Sequence, residues 1–167
     1  KTVALMTKPF ADRKIQFAIE EAEGMPTVMA DPDQLMDLLV DLFMNCAETM
    51  PEGGTITVDA ARKSVSKPDP KLNPHAKPGR YGLLRISDSG KGLPAEVLDH
   101  IFEPFFTSRD RGMRSGLGLS VVQSALQRYG GWIKVASKLW SGTTFSLFIP
   151  ESQKARLRAG AQRLQTG

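Results

Sequence analysis

Residues Asp31 to Gly54 read "DPDQLMDLLVDLFMNCAETMPEGG". This stretch decides the fold. Asp31 stands where a helix N-cap would stand, with Pro32 at the first helical position. Leu35, Leu38, Leu39, Leu42, Phe43, Cys46, Ala47 and Met50 then recur at spacings of three and four, one apolar stripe of a helix. "MPEGG" ends it. A helix with one apolar stripe must bury that stripe against another layer. The rest of the stretch is polar in an ordered way: Asp37, Asp41, Asn45 and Glu48 lie at spacings of four, four and three, a ridge beside the stripe. A solvated face is one reading of that ridge. The other is that Asn45 offers a hard oxygen to Mg²⁺, with a phosphate as co-ligand.

The flanking sequence supplies the second layer. "KIQFAI" alternates Ile15, Phe17 and Ile19 with polar or small residues, a half-buried strand. "MPTVMAD" is expected as a second short strand. "TITVDAAR", "YGLLRIS", "WIKVAS" and "TTFSLFIP" are further strands, the last two joined as a hairpin by "KLWSG". Residues 63–80 carry four prolines and are expected as a long loop. A short helix is expected from Pro94 to about His100. A longer one follows "GLG", with Val121, Val122, Ala125, Leu126 and Tyr129 on its buried face and a Gly-Gly stop. Strands in runs with helices appended predict an α+β sandwich, one mixed sheet under a helical layer. Residues 1–150 are expected as one domain and 151–167 as a basic tail or linker, weakly helical or disordered.

Bulk properties narrow the chemistry. The chain has 167 residues and a formal net charge of +4. The last seventeen residues hold Lys154, Arg156, Arg158 and Arg163 against Glu151, so +3 of that charge lies in the tail. The nearly neutral body argues against nucleic acid as a partner. One cysteine and two separated histidines give no zinc spacing. There is no G-x-S-x-G elbow and no Walker loop. No run of apolar residues is long enough to span a bilayer, so a cytoplasmic domain without direct membrane contact is expected. The chain begins at Lys1 without Met and is read as a piece of something longer. What remains is glycine at the starts of elements: Gly90 and Gly92 after Asp88 in "DSGKGLP", and Gly112, Gly116 and Gly118 before a helix. Helix amides fed by such a loop can bind an anion, although packing and turn glycines are the better reading of "GLG" taken alone.

Five ordered blocks between about Lys14 and Pro150 carry a resemblance: "DLFMNCAETMPEGG", "DSGKGLP", "IFEPFFTS", "GMRSGLGLS" and "SGTTFSLFIP". Together they resemble the N box, first glycine box, F box, second glycine box and closing strand of the catalytic, ATP-binding domain of two-component sensor histidine kinases. These belong to the wider GHKL ATPase superfamily. The resemblance implies a Bergerat-type two-layer α/β sandwich with three helices, an ATP lid, and ATP and Mg²⁺ between helices and sheet. It places Mg²⁺ on Asn45 and the adenine amine on Asp88. Gly90 and Gly92 would approach the base and ribose. Phe102, with Phe105 and Phe106, would anchor a lid over residues 107–115. Thr107, Ser108, Arg109, Arg111, Arg114, Ser115, Gly116, Leu117, Gly118 and Thr143 would complete the ATP-binding set. The partners implied are a dimerisation domain bearing the phosphoacceptor histidine and a response regulator receiver domain.

Three positions depart from the family pattern. Arg114 stands where many members have Gly. Glu48 stands where many have Lys or Arg. Asp41, one turn before Asn45, stands where kinases usually have Asn and gyrase-like ATPases a Glu general base. Asp41 is therefore a candidate catalytic residue for ATP hydrolysis. His75 in "NPHAKPG" and His100 in "LDHIFEP" do not fit a phosphoacceptor motif, so the phosphoacceptor helix is expected before Lys1. The chain would then bind Mg-ATP without phosphorylating itself. A GHKL-type ATPase or serine kinase regulator, and a degenerate non-catalytic binding module, are the alternative readings.

Overall fold

The computed structural model describes residues 10, 13–20, 26–71, 73–104 and 118–152. In chain order these form β1 (Ile15–Glu20), α1 (Pro32–Glu48), β2 (Gly54–Val65), β3 (Gly79–Asp88), α2 (Ala95–Leu98), α3 (Gly118–Arg128), β4 (Trp132–Ser137) and β5 (Thr143–Pro150). The five strands make one sheet in the order β1-β2-β3-β5-β4. β1 runs parallel to β2, and every other pair is antiparallel. The parallel pair needs a crossover, and α1 supplies it. The sheet is therefore mixed, and helices cover one of its faces.

α1 starts as the sequence predicts. The Asp31 carboxylate accepts from the amides of Asp33 and Gln34, both at 3.0 Å, and Pro32 occupies the first turn. These contacts satisfy two of the amides that a helix start leaves without partners. The stripe is buried as expected: Leu42 and Cys46 are 0% exposed. It packs on Ile56, Val58, Ile86, Phe145, Leu147 and Ile149, the inward residues of three strands. β5 shows the cleanest alternation, buried at every second residue, as a strand with one face on a core should. Phe10, Phe17 and Phe43 meet edge to face at 5.3–6.5 Å and close the β1 end.

Four expectations are corrected. "MPTVMAD" is not a strand: it makes a single antiparallel bridge, Val28 with Glu151. Pro26 lacks an amide hydrogen and Asp31-Pro32 starts the helix, so no ladder can extend on either side. The long loop is shorter than expected, because β2 runs to Val65 and β3 begins at Gly79. The pairs Lys63–Tyr81 and Ser64–Arg80 continue the hairpin, since solvent-facing charges do not oppose a ladder. Regular helix near Pro94 covers only Ala95–Leu98, with Pro94 as its N-cap. On α3, Val121 is 47% exposed and Leu119 is buried in its place beside Val122, Ala125 and Leu126.

The outer sheet face has its own small cluster. Trp132 stacks on Phe148, with ring centroids 4.7 Å apart, and meets Tyr81 at an angle. Pleating puts these three opposite Ile133, Leu147 and Ile149. The connection after β2 returns to this end of the sheet. Buried Asn73 donates to the Gly131 carbonyl at 2.7 Å, and the Tyr81 hydroxyl donates to the Lys77 carbonyl.

Candidate nucleotide site

The opposite end of the sheet carries the candidate site. Asp88 is the last residue of β3, paired with Ile56 of β2 on one side and Thr143 of β5 on the other. It is therefore held mid-sheet, under the C-terminal turn of α1. Its side chain is buried, with 7% of the residue exposed. The two carboxylate oxygens differ. Oδ1 accepts from the Gly90 amide at 2.8 Å, the Thr49 hydroxyl at 3.2 Å and the Thr143 amide at 3.3 Å. Oδ2 is buried and has no hydrogen-bond partner among the described residues. Burial pushes the Asp88 carboxyl above the usual carboxylate range, against the opposing pull of the Gly90, Thr49 and Thr143 donors and of the neighbouring Cys46 thiol. Burial likewise pushes the Cys46 thiol well up, and the neighbouring Asp88 charge adds to it.

The glycines after Asp88 have structural reasons. Gly92 has φ +67°, and a Cβ there would collide with the Lys138 carbonyl oxygen. Gly142 has φ +82°, and a Cβ there would collide with the Asp88 carbonyl oxygen. The β4–β5 hairpin is thus pressed against the loop following β3, and Trp140 donates its amide to the Lys91 carbonyl at 2.7 Å. The space that Gly90 leaves is filled by the Thr49 side chain. Protein neighbours are thus sufficient to require glycine at positions 90, 92 and 142.

Asn45 lies one turn before Thr49 on the same side of α1. Its Nδ2 is buried without a partner among the described residues and lies 3.7 Å from where a Gly118 Cβ would be. The N-box asparagine and the first residue of α3 are therefore adjacent, although 73 positions separate them in the sequence. Asp41 is exposed one turn further back, and Glu48 is half-buried. Phe102 is half-buried against the main core. Thr143 contributes its amide to Asp88, while its hydroxyl pairs with Ser137 Oγ at 2.8 Å, away from the carboxylate. Thr107, Ser108, Arg109, Arg111, Arg114, Ser115, Gly116 and Leu117 lie outside the described residues, as do Phe105 and Phe106. His75 and His100 stand apart from this cluster. The His75 amide donates to Asn73, and the exposed His100 ring pairs with Glu103 at 2.7 Å, which raises its pKa.

Sequence reasoning missed Thr49 and Ser89. Thr49 is four residues after Asn45, so helical spacing alone places it on that face. Ser89 accepts the Thr55 amide at 2.9 Å and so fixes the strand ends around Asp88. Nothing in its local sequence marks it.

Residues 30–153 match the family described as histidine kinase-, DNA gyrase B-, and HSP90-like ATPase. The chain belongs to that family. It is similar to the sensor kinase CckA of Brucella abortus, with 37% identity over 139 residues, covering 83% of this chain and 15% of that protein. It is also similar to the sensor histidine kinase ZraS of Escherichia coli K12, with 33% identity over 149 residues, covering 89% of this chain and 28% of that protein. The chain thus spans less than a third of either relative. Among solved structures, a mycobacterial sensor histidine kinase, MprB, superposes with a TM-score of 0.67 at 25% identity, covering 90% of this chain and 91% of that one. The catalytic domain of histidine kinase ThkA shares the fold, with a TM-score of 0.68 at 24% identity, covering 90% and 87%. The mixed sheet under helices is the fold of histidine kinase catalytic domains. No helix among the described residues is long and apolar enough to cross a membrane.

Proposed function

We propose that the chain binds Mg-ATP between the end of α1 and the end of β3, and supplies the γ-phosphoryl group to a histidine on a separate dimerisation domain. The observation that carries this reading is Asp88 Oδ2, a buried carboxylate oxygen with no partner among the described residues. A buried polar atom left unmatched costs about 1–3 kcal/mol, so it marks a position where a ligand donor belongs. An ionised carboxylate only accepts hydrogen bonds. It suits the exocyclic amine of adenine and opposes the carbonyl that guanine carries there.

Asn45 fits a metal–phosphate role, because its Nδ2 is buried, has no partner among the described residues, and adjoins the start of α3. Asn45 would offer its side-chain oxygen to Mg²⁺, and the first amides of α3 would face the phosphates. The bound metal would neutralise charge on the phosphate oxygens during transfer. The chain's own work is to hold the base, orient the phosphates and exclude water. Arg109, Arg111 and Arg114 are the proposed cationic contacts from the lid. The phosphoryl group would pass on to a receiver domain. In support, one solved neighbour is a histidine kinase in complex with a response regulator protein, at a TM-score of 0.65 and 24% identity.

Two measurements test the reading. Titration of Mg-ATP into the chain should give saturable binding that Asn45→Ala weakens and EDTA weakens in the wild type. No binding at millimolar ATP would favour the degenerate module. A dimerisation domain added in trans should gain label from γ-³²P-ATP. Asp41 is proposed to support slow hydrolysis of ATP, and equal phosphate release by wild type and Asp41→Asn would refute that role.

A further inference from the structure

Thr49 stands between the two ends of the proposed pocket. It caps the helix that carries Asn45 and reaches the acid that ends β3. Its hydroxyl lies 2.8 Å from the Cys46 carbonyl oxygen and 3.2 Å from Asp88 Oδ1. One hydroxyl has one proton, so it can serve only one of these acceptors at a time. The Cys46 carbonyl has a second donor, the Thr49 amide at 3.2 Å. Asp88, when ionised, is the stronger acceptor, because hydrogen bonds to a charged oxygen are about twice as strong as neutral ones. The proton can therefore turn to Asp88 without leaving the helix-end carbonyl bare.

The consequence falls on the other oxygen. The remaining donors to Oδ1 whose distances are fixed by the fold are two backbone amides, Gly90 and Thr143, and the second is long at 3.3 Å. With Thr49 in place, three donors from three elements converge on Oδ1, and Oδ2 is the oxygen presented to a base. Gly90 belongs to the same device, since a Cβ there would occupy the position of the Thr49 hydroxyl.

We infer that Thr49 is a positioning residue for base recognition, holding the Asp88 carboxylate so that Oδ2 faces the adenine amine. This rests on the ATP reading given above. The test compares ATP with purine riboside triphosphate, which lacks only the exocyclic amine, in the wild type and in Thr49→Val, Thr49→Ala and Thr49→Ser. The wild type should prefer ATP by roughly tenfold or more, the value of one hydrogen bond to a charged acceptor. Thr49→Val and Thr49→Ala should lower that ratio to about threefold or less, and Thr49→Ser, which keeps the hydroxyl, should restore most of it. A residue that merely packs would change both affinities together and leave the ratio intact, which would overturn the inference. A wild type with no preference between the two nucleotides would instead overturn the adenine reading itself. Two hydroxyl-free variants of different size keep the test open if one does not fold.

Discussion

Replacing Asp88 by Asn isolates the chemistry of the pocket from its packing. The two residues have nearly the same shape, so Oδ1 and its donors decide how the amide sits. The Gly90 amide at 2.8 Å and the Thr143 amide at 3.3 Å can only donate. The asparagine carbonyl must therefore take the Oδ1 position, and its NH₂ must take the place of Oδ2. An adenine amine arriving there would meet a donor where it needs an acceptor. The loss is one hydrogen bond to a charged oxygen, about 1.5–3 kcal/mol, or roughly 10- to 150-fold in Kd. Stability should move the other way or hardly at all, because burial already disfavours the Asp88 charge. Calorimetric titration with Mg-ATP, together with thermal melting of the ligand-free chain, reads both quantities. An affinity within twofold of wild type, in a variant that melts normally, would refute the assignment of Oδ2 to the base.

Three further outcomes are expected. Because burial raises the Asp88 pKa, the folded state holds its proton more tightly than the unfolded chain. As pH rises from the ordinary carboxylate pKa through the raised one, ATP affinity should increase while the Asp88 contribution to folding stability falls. Asp88→Asn, measured over the same pH range, should lose both slopes. Gly142→Ala should destabilise the domain by about 1–3 kcal/mol from backbone strain alone, since its φ is +82°; urea unfolding with an unchanged midpoint would contradict this. Asn73→Ala should cost about 1–3 kcal/mol by leaving the Gly131 carbonyl without its donor. It should leave the Kd for ATP unchanged, because Asn73 lies at the other end of the sheet.

Much of this protein was legible in its sequence, for local reasons. The α1 stripe, the Asp31-Pro32 start and the alternation along β5 follow from side-chain period and capping, which involve residues a few positions apart. The hairpin of β4 and β5 was legible in the same way. Asn45 and Asp88 were singled out as candidate site residues because their blocks have a recognisable order. The sequence could not show that "MPTVMAD" would form only one bridge, which depends on what β5 offers at Pro150 and Glu151. Nor could it place Val121 outside and Leu119 inside, since that depends on how α3 is rotated against the sheet.

The site divides along the same line. The sequence by itself supplied a carboxylate before two glycines and an asparagine on a helix. Only the tertiary structure made the two oxygens of Asp88 unequal. Donors from α1, from the loop after β3 and from β5 meet on Oδ1, and these are contacts between residues 2, 39 and 55 positions apart. The Gly90 bond is a local turn contact, whereas the bonds from Thr49 and Thr143 are fixed by strand register and helix placement, and no local pattern encodes them. The reason for Gly142 is of the same kind: it lies against the Asp88 carbonyl, 54 residues away in the sequence. Local periodicity chose the elements. Packing between them decided which oxygen of Asp88 is left without a partner among the described residues.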